Sequence, residues 1–208
     1  MRAHARTAAQ LYAGEADWTA IGELVTRVSI PVLGNGDVWE AWDALRMMRA
    51  TGCAGVIVGR GCLGRPWLFR ELSQVFDGAE PDAPPTLGEV VQVLLDHGRR
   101  LIDFFGEPSG TQQMRKWCAW YTVGFRGSSK ARARLVRASS LAEIEAVLAE
   151  LDPSEPFPEA GLRAHRAKGG RTQRVSLPDG YLDARDDDRS PCEVGTQRAS
   201  DDDMPSGG

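Results

Sequence analysis

The sequence predicts an α/β fold that gives way to an all-α one. Three observations carry this. Two short apolar runs, 30–33 (IPVL) and 56–58 (VIV), are each followed by a glycine-rich turn, and one helical stretch joins them. Strands joined by a single crossover helix are parallel neighbours in a right-handed βαβ unit. After a proline-rich interruption at 78–85 (GAEPDAPP), apolar residues recur at helical spacing as far as Leu151.

The stretch 55–69 (GVIVGRGCLGRPWLF) reads as three pieces. Val56, Ile57 and Val58 form a continuous β-branched run, which suits a strand buried on both faces of a parallel sheet. Gly59, Gly61 and Gly64 follow, with Arg60 between the first two. Pro66 then opens an apolar helix over 67–76, where proline suits the first turn. Glycines let backbone N–H groups approach an anion, the helix start adds partial positive charge, and Arg60 can supply a bidentate clamp. A plain tight turn would read the same way. The upstream unit tips the balance, because Gly34, Asn35, Gly36 and Asp37 follow the first strand and place a second glycine-rich turn at the same C-terminal edge. In (β/α)8 barrels the paired loops after strands seven and eight are the usual phosphate site. Asn35 to Asp37 also read as turn chemistry, with Asp37 placed to cap a helix starting at Val38.

The remaining elements follow in order. Trp18, Ile21, Leu24, Val25 and Val28 form one face of a helix over 14–28. Trp39, Trp42, Leu45 and Met48 form the apolar stripe of a helix over 38–50. Beyond the proline-rich linker, Thr86 and Glu89 make a capping box. The helix it opens carries Val90, Val91, Leu94, Leu95, Leu101, Ile102, Phe104 and Phe105 on its apolar side and ends at Gly106. Three more helices are predicted over 109–123, 129–138 and 140–151.

Five segments together resemble the bacterial tRNA-dihydrouridine synthases. They are HARTAAQLY (4–12), ADW (16–18), PVLGNGD (31–37), GVIVGRGCLGRPWLF (55–69) and RKWCAWYTVGF (115–125), the last similar to that family's helical-domain motif. The resemblance implies the C-terminal part of an FMN-binding (β/α)8 TIM barrel over 1–77, a linker over 78–85 and a small helical-bundle domain that binds tRNA over 86–151. A mostly disordered acidic tail is expected over 152–208, with 175–182 (VSLPDGYL) as a short apolar exception. It further implies a flavoprotein in which FMN, reduced by NADPH, passes a hydride to a tRNA uridine and a cysteine protonates the other carbon, giving 5,6-dihydrouridine. Asn35, Gly36, Asp37, Gly59 and Arg60 would hold the FMN phosphate. His4, which alone reads as a surface residue, would face the flavin or the uracil. The family's cysteine and flavin-contacting lysine have no counterpart here. No catalytic residue is therefore expected in this chain, which is read as a C-terminal piece, inactive by itself. Where the family has histidine after Arg-Lys, this chain has Trp117.

Charge bears on the partner. The chain carries 25 basic and 29 acidic residues, but 3 and 8 of these lie from Asp183 onward, leaving 22 and 21 in the rest. The acidic balance therefore belongs to the tail. Between Gly106 and Ser140, Arg115, Lys116, Arg126, Lys130, Arg132, Arg134 and Arg137 face a single acid, Glu107, with Trp117, Trp120, Tyr121 and Phe125 interleaved. A solvated face over core aromatics explains this pattern, and so does an RNA-backbone surface. The four cysteines form no CxxC pair and no zinc spacing, so no metal is expected. No apolar run reaches membrane-spanning length. The expectation is a cytoplasmic monomer whose partner is tRNA. Another FMN-dependent barrel oxidoreductase and a non-catalytic RNA-binding remnant are the competing readings.

Overall fold

Three short parallel strands, in the order β1 (Arg2–His4), β2 (Leu33–Asn35), β3 (Gly55–Ile57), form a sheet in the first part of the chain. The computed structural model describes residues 1–7, 10 and 13–164, all within one compact unit, so the expectations for 165–208 lie outside the described residues. Helices α1 (Thr19–Arg27) and α2 (Ala41–Thr51) join the strands, and α3 (Leu68–Phe76) follows a single 3-10 turn at Arg60–Cys62. The rest is helical: α4 (Leu87–Phe105), α5 (Glu107–Tyr121), α6 (Ser128–Leu135), α7 (Leu141–Leu148) and the short α8 (Glu159–Leu162). The architecture is thus mixed α/β, with a small parallel sheet followed by packed helices.

Several boundaries differ from the sequence reading. A third strand, Arg2–His4, joins the two expected ones. Strand β2 starts at Leu33 and leaves Ile30 half exposed at 52%. Pro31 has no N–H to give to a ladder, and its carbonyl instead accepts from the Met1 amino group at 2.6 Å. Strand β3 is half-buried along its length, not buried on both faces. Helix α2 begins at Ala41 because Asp43 Oδ2 accepts from the N–H groups of Trp39 and Glu40, at 2.9 and 2.8 Å, and so fixes 38–40 as extended chain. Asp37 therefore does not cap it. Ala41, Ala44, Met47 and Thr51 are buried along α2, and Trp42 is exposed.

The capping box of α4 forms as expected, with Thr86 N–H donating to Glu89 Oε2 at 2.7 Å. Leu87, Val90, Leu94 and Leu95 are buried, whereas Phe104 and Phe105 end the helix exposed and stacked edge to face. Helices α4 and α5 form a tight hairpin. A Cβ at Gly110 would lie 2.7 Å from Ile102 Cα, so only glycine allows this approach.

Two apolar clusters result. Ile21, Val32, Ala44, Met47, Leu68, Leu72 and Val75 pack around the sheet. Leu87, Val90, Leu94, Met114, Cys118, Leu135, Ile144 and Leu148 pack among the later helices, and Trp67 joins them. At the seam Gly64 has φ +68°, and its Cα lies so close to the Trp120 backbone that a Cβ would stand 2.5 Å from the Trp120 carbonyl carbon. Phe157 meets the ring of Trp67 edge-on at 5.6 Å.

Candidate functional site

Parallel register brings the strand ends together, with His4 beside Asn35 and Asn35 beside Ile57. Beyond them His4, Asn35, Gly36, Asp37, Gly59 and Arg60 line one cleft of about 230 Å³, with Val38, Trp39 and Gly61. All six residues singled out at the turns therefore border the same space. Asn35 turns its amide inward and donates from Nδ2 to the Ile57 carbonyl at 2.6 Å, tying the two turns. Gly36 has φ +136°, a conformation that favours glycine, and a Cβ there would come within 2.7 Å of Ala16 Cβ. Its carbonyl accepts from Trp18 Nε1 at 2.9 Å.

Charge in the cleft centres on Asp37. Arg6 Nη2 reaches both its oxygens at 2.7 and 2.9 Å, Ala16 N–H donates to Oδ2 at 2.7 Å, and Arg60 Nη2 lies 3.5 Å from Oδ1. The Arg6 side chain is buried and also donates to the Ala13 and Gly14 carbonyls. Arg60 lies over the Trp39 ring at 5.3 Å. Of the two guanidiniums only Arg60 borders the cleft, and it is the group there that can meet an anion. Gly59 is exposed, and a Cβ there would meet nothing nearer than Asn35 Nδ2 at 3.9 Å, so the space it leaves belongs to the cleft.

The basic residues of the helical part fare differently. Lys116 is exposed and lies over the Trp120 ring at 4.5 Å, and Lys130 is exposed on α6. Arg115 is half-buried and donates from Nε to the Ala138 carbonyl at 2.9 Å, a structural tie from α5 to the α6–α7 turn. Arg134 pairs with Glu150 at 2.6 Å. Arg126 shares a groove with Glu150, Asp152 and Glu155, and Arg132 is half-buried. Trp117 meets the His97 ring edge-on at 4.7 Å, and burial pushes the His97 pKa below its ordinary value. Tyr121, whose hydroxyl lies 3.3 Å from His97 Nδ1, is pushed up to about 12 by burial. Cys53, Cys62 and Cys118 are thiols, and burial pushes Cys118 up to about 12. Among the described residues no cluster of acidic, His or Cys side chains could hold a metal, and no helix is long and apolar enough to cross a membrane.

The dihydrouridine synthase family model matches residues 1–155. The chain belongs to the dihydrouridine synthase family. It is 50% identical over 185 residues to a probable tRNA-dihydrouridine synthase of Mycobacterium leprae, covering 88% of this chain and 48% of that protein. Against the Mycobacterium tuberculosis protein of the same description the identity is 50% over 189 residues, covering 90% and 48%. Against tRNA-dihydrouridine synthase B of Pseudomonas putida it is 40% over 131 residues, covering 63% and 39%. The chain spans about half the length of the curated relatives it matches first.

Three residues matter to the cleft without having stood out in the sequence. Arg6, two residues after His4, was given no role by the sequence, yet it pairs with Asp37. Trp39 looked like one of a helical stripe but precedes the helix and walls the cleft. Arg65, 1% exposed, donates from Nη1 to the Trp39 and Leu162 carbonyls, each at 2.9 Å.

Proposed function

We propose that this chain forms the part of a tRNA-dihydrouridine synthase that grips the phosphate of FMN and meets the tRNA. The whole enzyme would reduce uridine to 5,6-dihydrouridine at the expense of NADPH. The observation that carries this reading is the convergence of both glycine-rich turns, Arg60 and His4 on one cleft, in a chain of this family. The cleft, about 230 Å³, is smaller than the several hundred Å³ of a pocket for a whole ligand, so it suits one end of a cofactor. The residues present fit a phosphate monoester. Arg60 would donate to the phosphate oxygens, Asp37 would hold Arg6 and Arg60 in place, and the Gly36, Asp37 and Gly59 backbone would approach it closely. When bound, FMN would supply the hydride. His4, at the open end of β1, would face the ring or the uracil.

Protonation of the uracil needs a general acid within hydrogen-bonding reach. Cys53 and Cys118 are buried, and the Cys62 thiol donates to the Gly59 carbonyl at 3.1 Å. This supports placing the acid outside the described residues and supports inactivity of the chain alone. Lys116 and Lys130 would carry the contact with the RNA backbone, with Arg126 and Arg132 beside them; Arg115 and Arg134 already have protein partners.

The test is a flavin titration of the whole enzyme that contains this chain. Arg60→Ala should weaken FMN binding by about 1.5–3 kcal/mol, as for loss of a charge-assisted bond, and leave riboflavin binding unchanged. An unchanged FMN dissociation constant would remove Arg60 from the site.

A further inference from the structure

Trp39 is held from three sides. Its N–H donates to Asp43 Oδ2 at 2.9 Å, its carbonyl accepts from Arg65 Nη1 at 2.9 Å, and its ring lies 5.3 Å from the Arg60 guanidinium. Two of those holds are shared with a segment more than a hundred residues further on. The same Arg65 Nη1 donates to the Leu162 carbonyl at 2.9 Å, and its guanidinium lies 5.7 Å from the Phe157 ring centroid. Arg163 donates from Nε to Glu40 Oε1 at 2.7 Å and from Nη2 to Asp43 Oδ1 at 3.0 Å. Trp39 and Arg163 also border a second opening beside the cleft, together with Asp37 and Arg6.

Arg65 is the centre of this arrangement. At 1% exposure it has no water to replace a lost acceptor, so a shift of the Leu162 carbonyl leaves a buried donor unsatisfied. The energetic consequence is that 157–163 and the loop 38–40 are fixed together or loosened together.

We infer that residues 157–163 act as a clasp on the anion cleft: through Arg65, Arg163 and Asp43 they fix Trp39, and the Trp39 ring aims Arg60 at the bound phosphate. This rests on the phosphate reading proposed above. Trp39, Arg65 and Arg163 are positioning residues, and Arg163 sets the phosphate affinity without lining the cleft.

The experiment titrates the whole enzyme that contains this chain with FMN and with riboflavin, which lacks the phosphate, and reads the ratio of the two dissociation constants. Wild type should favour FMN, and Arg60→Ala should reduce that preference about tenfold or more. Arg163→Gln alters a side chain that is half exposed, at 52%, and should lower the ratio about threefold. Trp39→Leu should lower it likewise, whereas Trp39→Phe keeps an aromatic face for Arg60 and should restore it. In an Arg60→Ala background, Arg163→Gln should change the ratio no further. If Arg163→Gln leaves the ratio intact, or lowers it equally with and without Arg60, the clasp is wrong while the cofactor reading survives. A wild-type ratio of one overturns the phosphate reading and the clasp together.

Discussion

Arg65 shows what a single buried charge demands of its surroundings. Its guanidinium serves two carbonyls and lies 3.6 Å from Glu71, itself only 7% exposed. Burial lowers the Arg65 pKa and raises that of Glu71, and the opposite charge of each partner works against the shift. Arg65→Met removes the donor and strands the carboxylate. The expected loss at pH 7 is about 3–5 kcal/mol in a urea titration. The pH dependence follows from the sign. A carboxyl whose folded pKa lies above its unfolded value contributes stability that is complete below the unfolded value, about 4.3, and is lost as pH rises through the folded one. In Arg65→Met that folded value climbs further, so the damage should shrink between pH 7 and about pH 4. Equal losses at both pH values would mean that Glu71 does not depend on Arg65.

The start of α2 is the element whose chemistry the sequence hid. Burial pushes the Asp43 carboxyl up, but bonds from the Glu40 N–H, Arg46, the Trp39 N–H and Arg163 outweigh it and hold the pKa below its usual value. A depressed pKa contributes stability above the unfolded value, about 3.9, and loses it as pH falls through the folded value. Wild type should therefore lose stability more steeply below about pH 4 than Asp43→Asn. At pH 7 the variant should be about 1–3 kcal/mol less stable, measured by thermal melts across pH. The Thr86–Glu89 box was legible because a hydroxyl three residues before a glutamate is a recognised signature. Glu40 and Asp43 perform the same exchange with two acids, a pattern that also reads as surface charge, and α2 consequently seemed to start at Val38. Glycines at strand ends exposed the cleft turns in the same way. Trp39 and Arg65 left no such mark, because the decisive acceptors are main-chain carbonyls, one of them 97 positions away. A carbonyl carries no side-chain signature. Similarly, the run of apolar residues in α4 put Phe104 on its buried side with Leu94, yet Leu94 is fully buried and Phe104 is 80% exposed.

Across the molecule, a basic count overstates the charge available to the proposed RNA contact. Salt bridges and carbonyl bonds already occupy Arg134 and Arg115. In tRNA binding measured over a salt series, Lys116→Gln and Lys130→Gln should each reduce the log–log slope by a little under one, by lost counterion release. Arg134→Gln should reduce it by clearly less, because Glu150 neutralises that charge before RNA arrives. Equal changes for all three would show that the Arg134–Glu150 pair opens on binding. The seam between the two apolar clusters has a different consequence. Trp67 and Leu68 are adjacent in the chain, yet Trp67 packs with the later helices and Leu68 with the sheet. Opening either cluster strips one of these neighbours of its packing and disturbs the first turn of α3. In native-state amide exchange, the central N–H groups of α2 and α4 should therefore exchange with the same free energy and the same denaturant slope, as a single foldon spanning the proline-rich linker.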